Sequence, residues 1–330
     1  MAALPDEEII RLVRQSQRGD PVTVRLTSVS LMTPDRLRTL GSYKGNERSM
    51  WHDQRQAWDD LEALKGIDMP MPALDESGQL RRDEQGRLLM ARSGGENSPP
   101  RQMQVKFEVA ALNVPVNEQG TGGKGMEFVL GAHAETDADN RRAMRRLLGA
   151  TPQAWAACGP GQAPAGVTGW LRGQLASDGV PEREKTILRT LAAQIGTLYA
   201  SDAHQSAGND PYKLATRLIV LASRLGGPTA TLINCKSGKD RTSAAETQAR
   251  QMVIEIATTG VVPPLDAPVT ETRSRQLGAI HASGGSTQVQ ARNTGLGGTK
   301  LGGEPLFNRF GVIGKDARST FNGLSKYTHS

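Results

Sequence analysis

The sequence holds little cysteine, little aromatic surface and little histidine, and each shortage excludes something. Two cysteines, Cys158 and Cys235, stand among 330 residues, so no disulfide framework organises the chain. Aromatic residues make up 4%, and the core must therefore be built on Leu, Val, Ile and Ala. No zinc-finger, RRM or basic–aromatic pattern is present, so no nucleic acid is expected among the partners. The five histidines show no metal-ligand spacing, and the chain calls for neither a metal nor any other cofactor. No apolar run approaches the ~20 residues that a membrane-spanning helix needs. The N-terminal stretch MAALPDEEIIRLVRQ lacks the apolar core of a signal peptide. The expected location is the cytosol, or a compartment reached by a route that needs no such signal.

What the chain has instead is glycine, proline and a modest basic excess. Gly 37 and Pro 18 imply many turns. A net charge of +6, from 40 basic and 34 acidic residues, suits an anionic ligand or an anionic membrane surface, although charge of that size also serves plain solubility. The order of elements predicts an α/β or α+β fold with a central sheet flanked by helices. Residues 1–330 are expected to form a single domain, with 68–102 as a flexible insertion of long loops or a hairpin and 284–330 as a Gly/Ser-rich C-terminal segment. Pro5–Gln17 reads as a helix with acids at its start. Val22–Met32 alternates at period two in its first half and reads as a strand. Glu47–Lys65 is a helix with Trp51, Trp58, Leu61 and Leu64 at core spacing. Gln104–Asn117 is strand-like, ending near Pro115. Asp137–Leu148 is a helix carrying Arg141, Arg142, Arg145 and Arg146. Glu182–Tyr199 is an amphipathic helix with Ile187, Leu191, Ile195 and Leu198 on one stripe. Asp210–Leu225 has an N-cap, a first-turn proline, a leucine stripe and Gly226 beyond its end.

The stretch with the most chemistry is Thr231–Ala245, TLINCKSGKDRTSAA. It reads as a short strand, a tight loop and the start of a helix at Ser243. Backbone N–H groups in a loop that opens a helix converge on an anion. The same field favours the thiolate of Cys235, the form that attacks. Arg241, six positions on, can clamp two phosphate oxygens with its planar fork. Lys236 and Lys239 add positive charge, Ser237 lies between them and the glycine, and Gly238 lets the backbone approach closely. Thr242 can give its hydroxyl hydrogen to the departing sulfur. Asp240 is the candidate proton donor to the leaving alcohol, with Asp202, His204 and Asp210 as rivals. Two lysines in one loop favour a substrate with several phosphates.

Asn234–Thr242, NCKSGKDRT, resembles the active-site signature of the type III secreted inositol-phosphate phosphatases of Salmonella and Shigella. A similar loop belongs to the animal inositol polyphosphate 4-phosphatases. The second motif of the bacterial family, N-x-x-V-N-E, is matched within Leu112–Gln119, LNVPVNEQ, and a third by Arg292–Leu301, RNTGLGGTKL. Thr27–Leu37, TSVSLMTPDRL, also looks familial. The resemblance implies a cysteine-phosphatase P-loop between strand and helix, with Cys235 as nucleophile. It further implies metal-independent hydrolysis of inositol phosphates or phosphoinositides through a phosphocysteine. Asn117 and Glu118 would position substrate or support the loop, and Lys300 would reach its phosphates. Phosphatidylinositol 4,5-bisphosphate, cut at the 4-position, is the leading lipid substrate. By the same resemblance the chain is a secreted effector that acts in a host cell, with a host membrane surface and a secretion chaperone as partners. Phytate-type hydrolysis of inositol hexakisphosphate, phosphotyrosine hydrolysis and a non-catalytic anion-binding module are the alternatives.

Overall fold

The computed structural model describes residues 4–32, 47–95, 97–116, 132–202, 210–235, 240–268 and 270–283. Four strands, β1 (Val22–Ser30), β2 (Ile67–Pro70), β3 (Gln102–Asn113) and β4 (Thr229–Asn234), form one sheet in the order β2-β3-β1-β4. β2 lies antiparallel to β3, with Ile67 opposite Val105 and Pro70 opposite Gln102. β1 and β4 run the same way. The Arg25 N–H donates to the Pro228 carbonyl at 2.8 Å and the Leu31 N–H to the Asn234 carbonyl at 2.7 Å, so partner and residue rise together. β3 follows suit, since Arg25 meets Glu108 at 3.4 Å and the Val114 N–H donates to the Ser30 carbonyl at 2.8 Å. The C-terminal ends of β1, β3 and β4 therefore emerge on one side of the sheet, the side on which open α/β sheets carry their ligand sites.

The helices are α1 (Asp6–Gln17), α2 (Glu47–Ala63), α3 (Ala132–Leu148), α4 (Pro152–Ala156), α5 (Gly169–Leu175), α6 (Glu182–Ala200), α7 (Asp210–Arg224), α8 (Asp240–Thr259) and α9 (Glu271–Ser283). None of them is long and apolar enough to cross a membrane, among the described residues. The chain divides into two compact units, one of Met1–Leu26, Arg55–Val109 and Gly226–Ala230, the other of Thr27–Gln54, Ala110–Leu225 and Thr231–Ser330.

In the first unit, α1 starts with Asp6, Glu7 and Glu8, which complement its positive end. It buries Ile9, Leu12 and Val13 against Val22, Met71, Met103 and Val105. Between β2 and β3 the chain makes antiparallel bridges, among them Leu74–Leu80 and Arg82–Leu88. Two turns of the pattern Asp-Glu-x-Gly close these hairpins. Asp75 Oδ1 accepts from the Gln79 N–H at 2.9 Å, and Asp83 Oδ1 from the Arg87 N–H at 2.8 Å. Gly78 and Gly86 take φ of 80° and 77°, a conformation that costs glycine nothing. Of the two readings of this polar segment, long loops or a hairpin, the bridges support the hairpin, and local Asp-to-backbone bonds give it its turns.

In the second unit, α6 buries Ile187, Leu191, Ile195 and Leu198, as the periodicity predicts, while α7 is buried on nearly every side. Trp155 is fully buried, and its indole N–H donates to the Leu148 carbonyl at 3.3 Å. The Tyr199 hydroxyl donates to Asp137 Oδ1 at 2.5 Å, and Arg141 meets the other oxygen at 2.7 Å, so part of the basic face of α3 is used within the fold. Three expectations are corrected. β3 ends at Asn113 rather than Asn117, short of Pro115, whose missing N–H cannot extend the ladder. α8 begins at Asp240 rather than Ser243. Leu64 lies beyond the end of α2 and is 48% exposed, so the apolar stripe of that helix stops short of it.

α6 crosses α4 at Gly196, where a Cβ would stand 2.6 Å from the Pro152 carbonyl oxygen and 2.9 Å from the Ala156 nitrogen. Both are backbone atoms and cannot swing aside. Gly196→Ala should therefore destabilise the protein by about 1–3 kcal/mol through overpacking, against the ~1 kcal/mol that the change normally gains within a helix. Denaturant unfolding of the two proteins measures the sign.

Candidate active site

β4 ends at Asn234, and Cys235 follows it, 9% exposed and within the core of the second unit. α8 then opens with Asp240, Arg241 and Thr242 in its first turn. The earlier start of α8 suits an acid at position 240, beside the positive end of the helix. Lys236, Ser237, Gly238 and Lys239 lie outside the described residues, as do Asn117, Glu118, His204 and Lys300. For Asp240 the backbone alone is described.

Arg241 is the best-defined group of the site. Its Nη1 and Nη2 grip the two carboxylate oxygens of Glu47, the first residue of α2, at 2.8 Å each. Nη1 also donates to the Leu31 carbonyl at 2.7 Å. The Glu47 side chain is 3% exposed and that of Arg241 17%, so this is a buried, bidentate ion pair of the strong kind. Burial pulls the guanidinium pKa down. The Glu47 carboxylate outweighs it and holds the group above its ordinary value, and Cys235 and Tyr212 act in the same direction. Cys235 and Arg241 thus share one electrostatic environment.

Leu31 ties these pieces together through its peptide. Its N–H donates to the Asn234 carbonyl, and its C=O receives Arg241. Asn234 Nδ2 donates to Ser28 Oγ at 3.1 Å. A second clasp holds the end of β3. The Asn113 N–H donates to Asn140 Oδ1, and Asn140 Nδ2 donates to the Asn113 carbonyl, both at 2.7 Å and both buried. Asn113 is the first residue of the N-x-x-V-N-E match, so α3 fixes the strand that leads to Asn117 and Glu118. Thr242 Oγ1 and Ser243 Oγ are buried and find no hydrogen-bond partner among the described residues, an arrangement that costs free energy and calls for a reason. Of the rival proton donors, Asp210 meets Lys213 at 3.0 Å, and Asp202 lies in an exposed turn with φ of 53°. The other cysteine, Cys158, donates its S–H to the Ala154 carbonyl at 3.3 Å.

Sequence reasoning missed Glu47 and Asn140. An acid at the start of a helix reads as a dipole partner, and an asparagine within one as a surface residue; neither carries a local signal of a contact almost two hundred or nearly thirty positions away.

A strand, a cysteine directly after it and an arginine in the first turn of a helix define the local architecture. A family model described as "Enterobacterial virulence protein IpgD" matches residues 6–304, and the chain belongs to that family. Among curated relatives, "Inositol phosphate phosphatase SopB" of Salmonella bongori is 29% identical over 88% of this chain and 58% of its own length. Its namesake in Salmonella typhimurium is 27% identical over 88% of this chain and 43% of its own length. "Inositol phosphate phosphatase IpgD" of Shigella flexneri is 27% identical over 88% of this chain and 45% of its own length. The chain thus spans about half the length of the curated relatives it matches. Among solved structures, a Legionella phosphoinositide phosphatase, SidF, shares the fold with a TM-score of 0.58 at 12% identity, over 99% of this chain and 57% of that one. A second structure, "a novel Legionella phosphoinositide phosphatase", gives 0.60 at 12% identity, over 99% and 55%. The family resemblance carried by the motifs is confirmed.

The buried pair has a consequence for stability. Arg241→Ala removes the bidentate partner of the buried Glu47 carboxylate and should cost about 3–5 kcal/mol. Replacing both partners by apolar groups, Arg241→Met with Glu47→Leu, should cost far less, because no charge is left buried alone. Denaturant midpoints of the single and double variants test this ordering.

Proposed function

We propose that the chain is a cysteine phosphatase that hydrolyses phosphomonoesters of inositol phosphates or phosphoinositides without a metal. The observation that carries this reading is the placement of Cys235 directly after β4 and of Arg241 in the first turn of α8, with Cys235 among the groups that hold the Arg241 guanidinium above its ordinary pKa. Family membership and the names of the relatives supply the substrate class.

Cys235 Sγ attacks phosphorus in line as the bond to the inositol oxygen breaks. Arg241 and the N–H groups at the helix start hold the equatorial oxygens, which gain charge in the transition state. Asp240 passes its proton to the leaving inositol oxygen. Water then attacks phosphorus, the S–P bond breaks, and inorganic phosphate leaves. Thr242 Oγ1, buried without a partner among the described residues, has its hydrogen available for the departing sulfur. Lys236 and Lys239 attract a ring with several phosphates, with Ser237 and Gly238 shaping the cradle. Asn117, Glu118 and Lys300 complete the substrate contacts. A P-loop of this kind sits naturally at the C-terminal end of a parallel sheet. The role in the cell follows the family: an effector exported by a type III system into the host cytoplasm, with a secretion chaperone and a host membrane surface as partners.

The test is a phosphate-release panel over phosphatidylinositol 4,5-bisphosphate vesicles, soluble inositol phosphates including the hexakisphosphate, and a phosphotyrosine peptide. Release from inositol-based substrates, lost in Cys235→Ser while substrate binding persists, is the expected outcome. Release from the peptide alone would make the chain a tyrosine phosphatase. Binding without turnover in the unaltered protein would make it an anion-binding module.

A further inference from the structure

Arg241 has five N–H donors, and the structure accounts for three of them. Nη1 spends both hydrogens, one on Glu47 and one on the Leu31 carbonyl, and Nη2 spends one on the other oxygen of Glu47. Glu47 therefore grips the guanidinium end-on. The two donors left over, Nε–H and the second hydrogen of Nη2, lie parallel on the adjoining edge of the planar fork. They meet no acceptor among the described residues. That edge has the spacing to receive two oxygens of one phosphate. A phosphate so bound would not have to displace Glu47.

We propose that Glu47 is the positioning residue of this site: by holding the end-on fork of Arg241 it leaves the side-on edge, Nε–H with Nη2–H, as the one that receives two phosphate oxygens. The proposal rests on the phosphatase reading above. Three observations carry it. The carboxylate is buried to 3% exposure, so it can hold one orientation without competition from water. The grip is bidentate, which fixes the plane of the guanidinium as well as its position. The same Nη1 is tied to Leu31, whose N–H holds the carbonyl of Asn234, the residue before Cys235. Guanidinium, end of β1 and backbone of the nucleophile are thus one hydrogen-bonded chain, in which Glu47 supplies the outer restraint. An alternative role, a carboxylate that blocks the arginine until substrate removes it, is disfavoured by the two donors that remain.

Steady-state kinetics of Glu47→Asp, Glu47→Gln and Glu47→Ala, on whichever inositol phosphate the unaltered protein hydrolyses, provide the test. Each rate is scaled to the folded fraction measured by thermal unfolding. A misplaced arginine should lower kcat by about 100-fold in Glu47→Ala, with KM little changed, because the equatorial oxygens gain charge only in the transition state. Inhibition by vanadate, which mimics that state, should weaken in parallel, and Glu47→Asp should recover part of both. Unchanged kcat and vanadate inhibition in folded variants would overturn the proposal. A rise in kcat would overturn it too, since it would make Glu47 a block. Should the variants fail to fold, a measurement on the unaltered protein still decides. The Nε–H resonance of Arg241, assigned by its loss in Arg241→Lys, should move on addition of vanadate, and a resonance that stays still refutes the side-on edge. If the unaltered protein releases phosphate from no inositol-based substrate, the phosphatase reading fails first, and Glu47 loses the role that depended on it.

Discussion

A carboxylate and a guanidinium, both withdrawn from water, face each other at the start of two helices. Each ion costs several kcal/mol to bury, and their attraction repays that only with close geometry and further hydrogen bonds. Here the geometry is bidentate at 2.8 Å, and the Leu31 carbonyl takes a further guanidinium hydrogen. The result is an arginine that stays charged in spite of burial. An arginine needed to bind an anion gains from this, since its orientation is settled before the anion arrives and little ordering is left to be done on binding. The beginnings of α2 and α8 and the end of β1 are held by this one contact.

The sheet makes that contact possible. Because β1, β3 and β4 run the same way, the residues following Ser30, Asn113 and Asn234 all leave on one side. Leu31 links β1 to β4 by its N–H and to Arg241 by its carbonyl. Asn140 does for β3 what Leu31 does for β1, taking both backbone groups of Asn113 from a helix. The ends of β3 and β4 are therefore pinned just before the segments to which the functional reading assigns contacts. The hydroxyls of Thr242 and Ser243, buried without partners among the described residues, fit such a place, since buried polar groups of this kind gather where a ligand or a reaction intermediate supplies the missing bond.

Much of the fold is legible because the signals are local. Pro211 and the leucine stripe mark α7 through proline placement and periodicity, both properties of neighbouring residues, while Asp210, read as its N-cap, is the first residue of the helix. α6 is read from Ile187, Leu191, Ile195 and Leu198 for the same reason. The boundaries that shifted are those set by contacts. α8 starts three residues before its helix-forming composition begins, in a first turn where Arg241 is held from outside by Glu47 and the Leu31 carbonyl. β3 ends at Asn113, where Asn140 takes over the backbone bonds. The Asp-Glu-x-Gly repeats lie between these cases: a polar composition leaves long loops or a hairpin open, and local Asp-to-backbone bonds decide for hairpins.

By itself the chain determined its family and where a nucleophile and an anion site are to be expected. Cys235, the loop and Arg241 are contiguous, so their residue types and spacing are sufficient to suggest a nucleophile and an anion clamp on one turn, and NCKSGKDRT is sufficient to mark the family. What only the tertiary structure decided is how the clamp is held. Glu47 lies far from Arg241 in sequence, and its acid side chain is indistinguishable there from any acid that opens a helix. The two meet because strand order and helix packing bring their ends together, and a buried charge pair is a property of that meeting rather than of either segment.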